Sequence, residues 1–171
     1  MHEDRLKRLA EKMDRLVEQD ERTLAQTRAV EAARRVGAVE LFGICESLVG
    51  ELNRLLVKFR IELSPEEYSR EAFRESGLNL FQINARGRLV QLAFESTESL
   101  TSSENYARPY ILQGAVRWYN QEALEGGGIE EEMIFYCMDG RGVNSWRYLD
   151  AKTRRSGALD EEHLAQLLER L

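Results

Sequence analysis

Apolar side chains near the amino terminus recur at helical spacing. Leu6, Leu9, Met13 and Leu16 are separated by alternating steps of three and four residues, which is the spacing of a coiled-coil seam or of any helix packed along one side. Continued in the same register, the seam meets polar positions from Asp20 onwards. Two good heptads fall short of the three or four that indicate a coiled coil. The pattern therefore predicts a helix without specifying its partner.

The next segment, residues 41–59, is more apolar, and its wide stripe predicts a helix that faces a core. Gly37, Gly43 and Gly50 interrupt this run, but "RRVGAVE" contains too few turn-forming residues for a tight reversal. A continuous or bent helix is therefore favoured over a hairpin. Gly43 and Gly50 are seven residues apart and so lie near one helix face, where they either admit another backbone or relieve crowding inside the domain.

A capping pattern predicts a short helix over residues 65–76. In "LSPEEYSREAFRESG", Ser64 is placed as the N-cap and Pro65 suits the first helical position. Glu67 completes a capping box, and Gly77 can close the C-terminus.

From residue 78 to residue 149 the hydrophobic period changes to two, which predicts five strands. Their connections are too short for a crossover helix, so the strands form an antiparallel meander, with "EALEGGG" as a flexible connection before the fourth strand. On the third strand we expect four residues to point inward: Tyr110, Leu112, Val116 and Trp118.

A final helix is predicted to start at Asp160, where the side chain can cap it. The predicted fold class is therefore α+β: a long N-terminal helical region, a short helix, a five-stranded antiparallel meander and a C-terminal helix. We expect two domains, a helical arm at residues 1–36 and an α+β domain at residues 37–171.

The amino-acid composition limits the classes of partner that we expect the chain to bind. The net charge is -6, and residues 61–150 hold 8 basic and 15 acidic side chains, which argues against nucleic acid as a partner. No segment is apolar enough to predict a membrane span. Cys45 and Cys137 lack the spacing of a disulfide framework and are expected to be buried thiols in a cytoplasmic, reducing setting.

Residues that could carry catalysis are few, and each has a structural explanation that we favour. His163 is expected at the surface, and Cys137 in a packed strand. Glu130-Glu131-Glu132 is interpreted as a solvated strand edge in preference to a cation site, and Arg34-Arg35 as a solvated pair in preference to a phosphate contact. No cofactor, metal site or enzymatic activity is predicted.

The second face of the sheet mixes polar and aromatic residues, as a ligand groove does. If it is one, we expect four of its polar residues to form the groove: Gln91, Gln113, Arg117 and Arg147. A face that is simply solvated or partly covered by a helix is the alternative.

We therefore predict a non-enzymatic interaction module that self-associates as a homodimer and that could also bind another protein. The expected interface residues are Leu6, Leu9, Met13, Leu16, Gly43 and Gly50. The alternative is a domain that binds a small anionic ligand on the polar face of the sheet, and an enzyme without a readable motif is the third reading.

Overall fold

The computed structural model describes residues 1–122 and 128–171. Most of the predicted connection "EALEGGG" lies outside the described residues. The described chain divides into two compact units, Met1–Ala33 and Arg34–Leu171. The organisation into an arm of residues 1–36 and a domain of residues 37–171 stays a prediction.

One α-helix, α1, runs from His2 to Leu55. The chain therefore does not turn back at Gly37, and the prediction of a continuous helix is confirmed. Within the unit Arg34–Leu171, the helix buries apolar side chains at helical spacing, as expected of a core-facing stripe: Ala38, Leu41, Phe42, Cys45, Leu48 and Val49.

Within the described residues, seven strands form an antiparallel sheet whose spatial order is their order in the chain. They are β1 (Glu62–Ser64), β2 (Asn79–Ala85), β3 (Arg88–Ser96), β4 (Tyr110–Asn120), β5 (Glu130–Met138), β6 (Asn144–Leu149) and β7 (Ser156–Ala158). The predicted meander is confirmed as β2 to β6. The count of five is wrong because β1 and β7 have three residues each, too few for an alternating pattern to be recognised.

The short helix predicted over residues 65–76 is also wrong. Ser64 is the last residue of β1 and pairs with Gln82. The segment that follows contains only a 3₁₀ turn at Arg70–Ala72. The capping residues are present in the sequence, but no α-helix follows them in the chain.

Tertiary contacts explain why this segment is irregular. The ring of Tyr68 packs against Phe42 and Phe81, with centroid distances of 5.6 and 4.8 Å. The Asn79 side chain accepts from the backbone N–H of Arg74 and donates to its carbonyl oxygen. Such contacts outweigh a helix preference of a few tenths of a kcal/mol per residue.

In the described part of the chain, α1 and the C-terminal helix pack on the same face of the sheet, which we call the inner face. Phe42 of α1 meets Phe81 of β2 at a centroid distance of 5.4 Å. Helix α2 (Glu161–Glu169) begins where predicted, because the Asp160 side chain accepts from the backbone N–H of His163. The inner face carries the main core, which includes Phe81, Ile83, Val90, Leu92, Phe94, Leu112, Val116, Ile134, Tyr136 and Trp146.

Tyr110 does not point inward as predicted. A shift in the β4–β5 register between Tyr110 and Leu112 places Tyr110 opposite Cys137, and it packs with Cys137 and Phe135 in a separate cluster. This cluster lies on the other side of the sheet, which we call the outer face. The bulge moves Tyr110 out of phase with the rest of β4.

Candidate functional site

An exposed apolar stripe runs along α1 within the unit Met1–Ala33. Each residue turns the helix by about 100°, so the stripe's members fall within a sector roughly 100° wide. We call it the N-terminal stripe. Its six members are between 49% and 58% exposed: Leu6, Leu9, Met13, Leu16, Val17 and Leu24.

Four members of the N-terminal stripe are predicted interface residues, and two were missed. Val17 and Leu24 fall outside a strict repeat of 3.5 residues but lie on the stripe of a straight helix with 3.6 residues per turn. The helical period is therefore the signal that finds them. With them the stripe extends from Leu6 to Leu24.

The other two predicted interface residues, Gly43 and Gly50, belong to the unit Arg34–Leu171 and are exposed. A Cβ atom added at either position would have no neighbour within 4 Å. Neither glycine therefore relieves crowding among the described residues. Their part in an interface stays a prediction.

Of the three glycines in α1, the one that the fold requires is Gly37. A Cβ atom there would lie 2.5 Å from two ring carbons of Tyr136. The Trp146 indole N–H donates to the Gly37 carbonyl oxygen at 2.7 Å, and the Tyr136 hydroxyl donates to Glu40 at 2.9 Å. Helix α1 thus meets β5 and β6 at the position of Gly37.

The four residues of the predicted groove share the outer face but do not converge. Gln91 pairs with Arg117, and Gln113 pairs with Phe135, which in turn pairs with Arg147. These two rows are separated by an apolar row that crosses five strands: Leu80, Ala93, Ala115, Met133 and Leu149.

Both guanidinium groups of the predicted groove already have partners. Arg117 donates to Glu131 across the β4–β5 pair, and Arg147 donates to the Tyr106 hydroxyl at 2.9 Å. Because they are engaged separately, they do not form a convergent pair of cations for an anion. The anionic-ligand alternative stays a prediction.

A polar cavity of about 700 Å³ lies between the end of β3 and the loop that leads to β4. Gln113 is the one predicted groove residue in its wall. The other lining residues are Glu95, Ser96, Thr97, Glu98, Ser99, Ser102, Glu104 and Asn105. Its three carboxylates give it an acidic character, opposite to that of an anion site.

His163 is buried, contrary to the surface position expected of it. It is 6% exposed, and its Nε2 lies 2.6 Å from Oε2 of Glu132, which is 3% exposed. The ring also stacks on Tyr148 with a centroid distance of 3.6 Å. The interpretation of Glu132 as part of a solvated edge is therefore wrong, although Glu130 and Glu131 do pair with Lys152 and Arg117 at the surface.

Arg34 is likewise buried, at 5% exposure, and is not part of a solvated pair. It donates to the backbone oxygens of Ile111 and Ser99 at 3.0 and 3.2 Å. It also contacts the Glu75 carboxylate. All three guanidinium nitrogens therefore have partners within the unit Arg34–Leu171, so the group is not free to bind a phosphate.

Neither thiol is set up as a nucleophile. Cys45 and Cys137 are free and buried. Burial raises the pKa of Cys45 to about 12 and the pKa of Cys137 to about 11, from 9.0 in both cases. Both side chains are therefore protonated at neutral pH, and the thiolate is the reactive form.

Within residues 1–122 and 128–171, no group of three or more His, Cys, Asp or Glu side chains is arranged to hold a metal ion. None of the helices in this described part is long and apolar enough to cross a membrane. Comparisons with protein-family models, curated proteins and solved structures find no match to this chain.

Proposed function

We propose that this protein is a non-enzymatic interaction module that self-associates as a homodimer through the N-terminal stripe. The observation that carries the proposal is the exposure of six large apolar side chains on one face of the unit Met1–Ala33. Scattered exposed apolar residues are ordinary, whereas a contiguous apolar surface marks a site of interaction. A coiled coil or a looser helix pair would bury it.

The energetics favour a reversible association. Completing the burial of a half-exposed Leu, Met or Val side chain contributes about 1 kcal/mol. Six such side chains from each copy together reach the order of the ~4–15 kcal/mol that association costs in lost freedom. We therefore expect a dimer that dissociates on dilution.

Three features support a non-enzymatic role in a cytoplasmic setting. Burial raises the pKa of both thiols further above neutral pH, so neither forms the reactive thiolate. The buried His163 is engaged by Glu132 and Tyr148. Free cysteines suit a reducing compartment.

Sedimentation equilibrium of the full chain over a wide concentration range tests the proposal. We expect a monomer–dimer equilibrium. The substitution Met13→Glu, in the middle of the N-terminal stripe, should raise the dissociation constant at least tenfold, which corresponds to about 1.4 kcal/mol.

Ala25→Glu is the matched control, because it introduces the same side chain on the same helix outside the stripe. It should leave the dissociation constant within about threefold of the wild-type value. Circular dichroism would verify that both variants keep the fold. A wild-type chain that stays monomeric, or equal effects of the two substitutions, would contradict self-association through this stripe.

A further inference from the structure

We propose that the N-terminal stripe pairs with the same stripe of a second copy in antiparallel alignment, and that Asp20 opposite Lys12 selects this alignment. The inference rests on the self-association proposed above. It adds the orientation of the partner and the residues that determine it.

Asp20 interrupts the N-terminal stripe. It lies one turn after Leu16 and one turn before Leu24, within the same sector of the helix. Between Leu6 and Leu24, no other charged residue falls in that sector. A carboxylate buried in a helix pair without a cation is strongly unfavourable, so any pairing of the stripe must accommodate Asp20.

A parallel, in-register pair accommodates it badly. Such a pair places each residue opposite its own equivalent, so Asp20 would face Asp20 of the second copy. The nearest basic side chains beside the stripe, Lys12 and Arg28, are eight residues away, about 12 Å along the axis. Arg22 points to the opposite side of the helix. Like charges at such close range are unfavourable by several kcal/mol.

An antiparallel pair centred near residue 15 gives Asp20 a cation. Asp20 then lies level with residue 10 of the second copy, and Lys12 of that copy is two residues away, about 3 Å along the axis. Lys12 lies just outside one edge of the N-terminal stripe, and Asp20 lies slightly to the same side of the stripe's centre line. In antiparallel pairs the same edges of the two helices meet, so the two charges are neighbours.

The remaining side chains also match in this alignment. Leu6 lies opposite Leu24 of the second copy, and Met13 lies next to Val17. Outside the stripe, Glu3 comes level with Arg28, and Lys7 comes near Glu21, so the charges on that flank are of opposite sign.

Asp20 and Lys12 are available for this contact. Neither takes part in an ion pair or a side-chain hydrogen bond among the described residues. Both are exposed. Their pairing between copies would therefore break no ion pair within the chain.

Disulfide mapping tests the orientation. The full chain carrying Leu6→Cys and Leu24→Cys would be oxidised as a dimer, and the joined peptides identified by mass spectrometry. We expect disulfides between position 6 and position 24, because these positions face each other only in the antiparallel pair. Cys45 and Cys137 are buried and protonated, so they do not compete at neutral pH.

A charge exchange tests the selecting pair. Lys12→Glu should raise the dissociation constant at least tenfold, because it places a second carboxylate beside Asp20. Adding Asp20→Lys should restore the constant to within about threefold of wild type. Arg22→Glu, the same change in charge on the opposite side of the helix, is the control and should have little effect.

The outcomes separate the two proposals. A wild-type chain that remains monomeric overturns the proposed function and this inference with it. A dimer whose disulfides join position 6 to position 6 overturns the antiparallel orientation alone. An antiparallel dimer in which the charge exchange restores nothing overturns the role of Asp20 and Lys12.

Discussion

At the residue scale, the guanidinium of Arg34 ties α1 to the loop that follows β3. Its Nη2 contacts the Thr97 hydroxyl at 3.1 Å and the Ser99 carbonyl at 3.2 Å, and its Nε contacts the Ile111 carbonyl at 3.0 Å. The Glu75 carboxylate balances its charge. A buried charge persists only when it is paired and hydrogen-bonded in this way.

Replacing Arg34 should therefore be costly. We expect Arg34→Ala to lower the free energy of unfolding by about 3–5 kcal/mol, because it leaves Glu75 without its cation and several carbonyl groups without a donor. Urea unfolding followed by circular dichroism would measure the change. The adjacent, exposed Arg35→Ala should stay within about 0.5 kcal/mol of wild type, and a similar loss in both variants would contradict the role assigned to Arg34.

The position of Arg34 could have been inferred from helical phase. Ala38, Leu41 and Cys45 follow it at steps of four, three and four residues, which places Arg34 on the buried stripe of α1. Arg35 is turned away by about 100°. Helical phase does not reveal the partners of Arg34, because they lie on a strand and on loops that are distant in the chain.

At the element scale, the contact between α1 and the sheet depends on a missing side chain. Gly37 lets the rings of Tyr136 and Trp146 approach the helix backbone. Glycine makes the helix intrinsically less stable at this position than alanine would, and the close packing that it permits offsets this loss. Gly43, which is exposed on another part of the helix, has no such contact.

Alanine substitutions at these two glycines should act in opposite directions. Gly37→Ala should destabilise the fold by about 1–3 kcal/mol, because its Cβ overlaps the Tyr136 ring. Gly43→Ala should stabilise it by about 0.5–1 kcal/mol, because alanine is the better helix former. Thermal unfolding of the two variants would compare them. Equal changes of the same sign would contradict the packing role of Gly37.

The elements that sequence patterns predicted well are those with enough residues to show a period. Helix α1 and the strands β2 to β6 have this length, whereas β1 and β7 do not. The false helix after Ser64 shows that caps are local signals which tertiary contacts override. Glu132 shares the phase of Ile134 and Tyr136, so the alternation already pointed it inward, and the run of three glutamates obscured this.

At the scale of the whole molecule, stability depends on pH because a buried thiol lies on each face of the sheet. Cys45 lies under the inner face, and Cys137 lies in the outer-face cluster. Desolvation raises the pKa of Cys45 to about 12 and that of Cys137 to about 11. The folded chain therefore holds these protons more tightly than the unfolded chain does.

The consequence is a loss of stability in alkaline solution. Well below pH 9 the thiols are protonated in both the folded and the unfolded chain, so their titration does not lower the free energy of unfolding. As the pH rises from 9 towards 11–12, the unfolded chain releases protons that the folded chain retains, and the free energy of unfolding falls. Urea unfolding at pH 7.5, 9 and 10.5 should show this decline. Cys45→Ala should make it shallower, and an equally steep decline in that variant would contradict the assignment to Cys45.

The bond between Trp146 and Gly37 also bears on how the chain is made. It joins residues 109 positions apart, and the bond between Tyr136 and Glu40 joins residues 96 apart. Contacts of such long range form slowly. During synthesis α1 leaves the ribosome before β5 and β6 have been made. The side chains that α1 buries in the folded chain are therefore still exposed to solvent. Exposed apolar surface makes partly folded chains prone to aggregation, so we expect chaperones to bind the nascent chain at this stage.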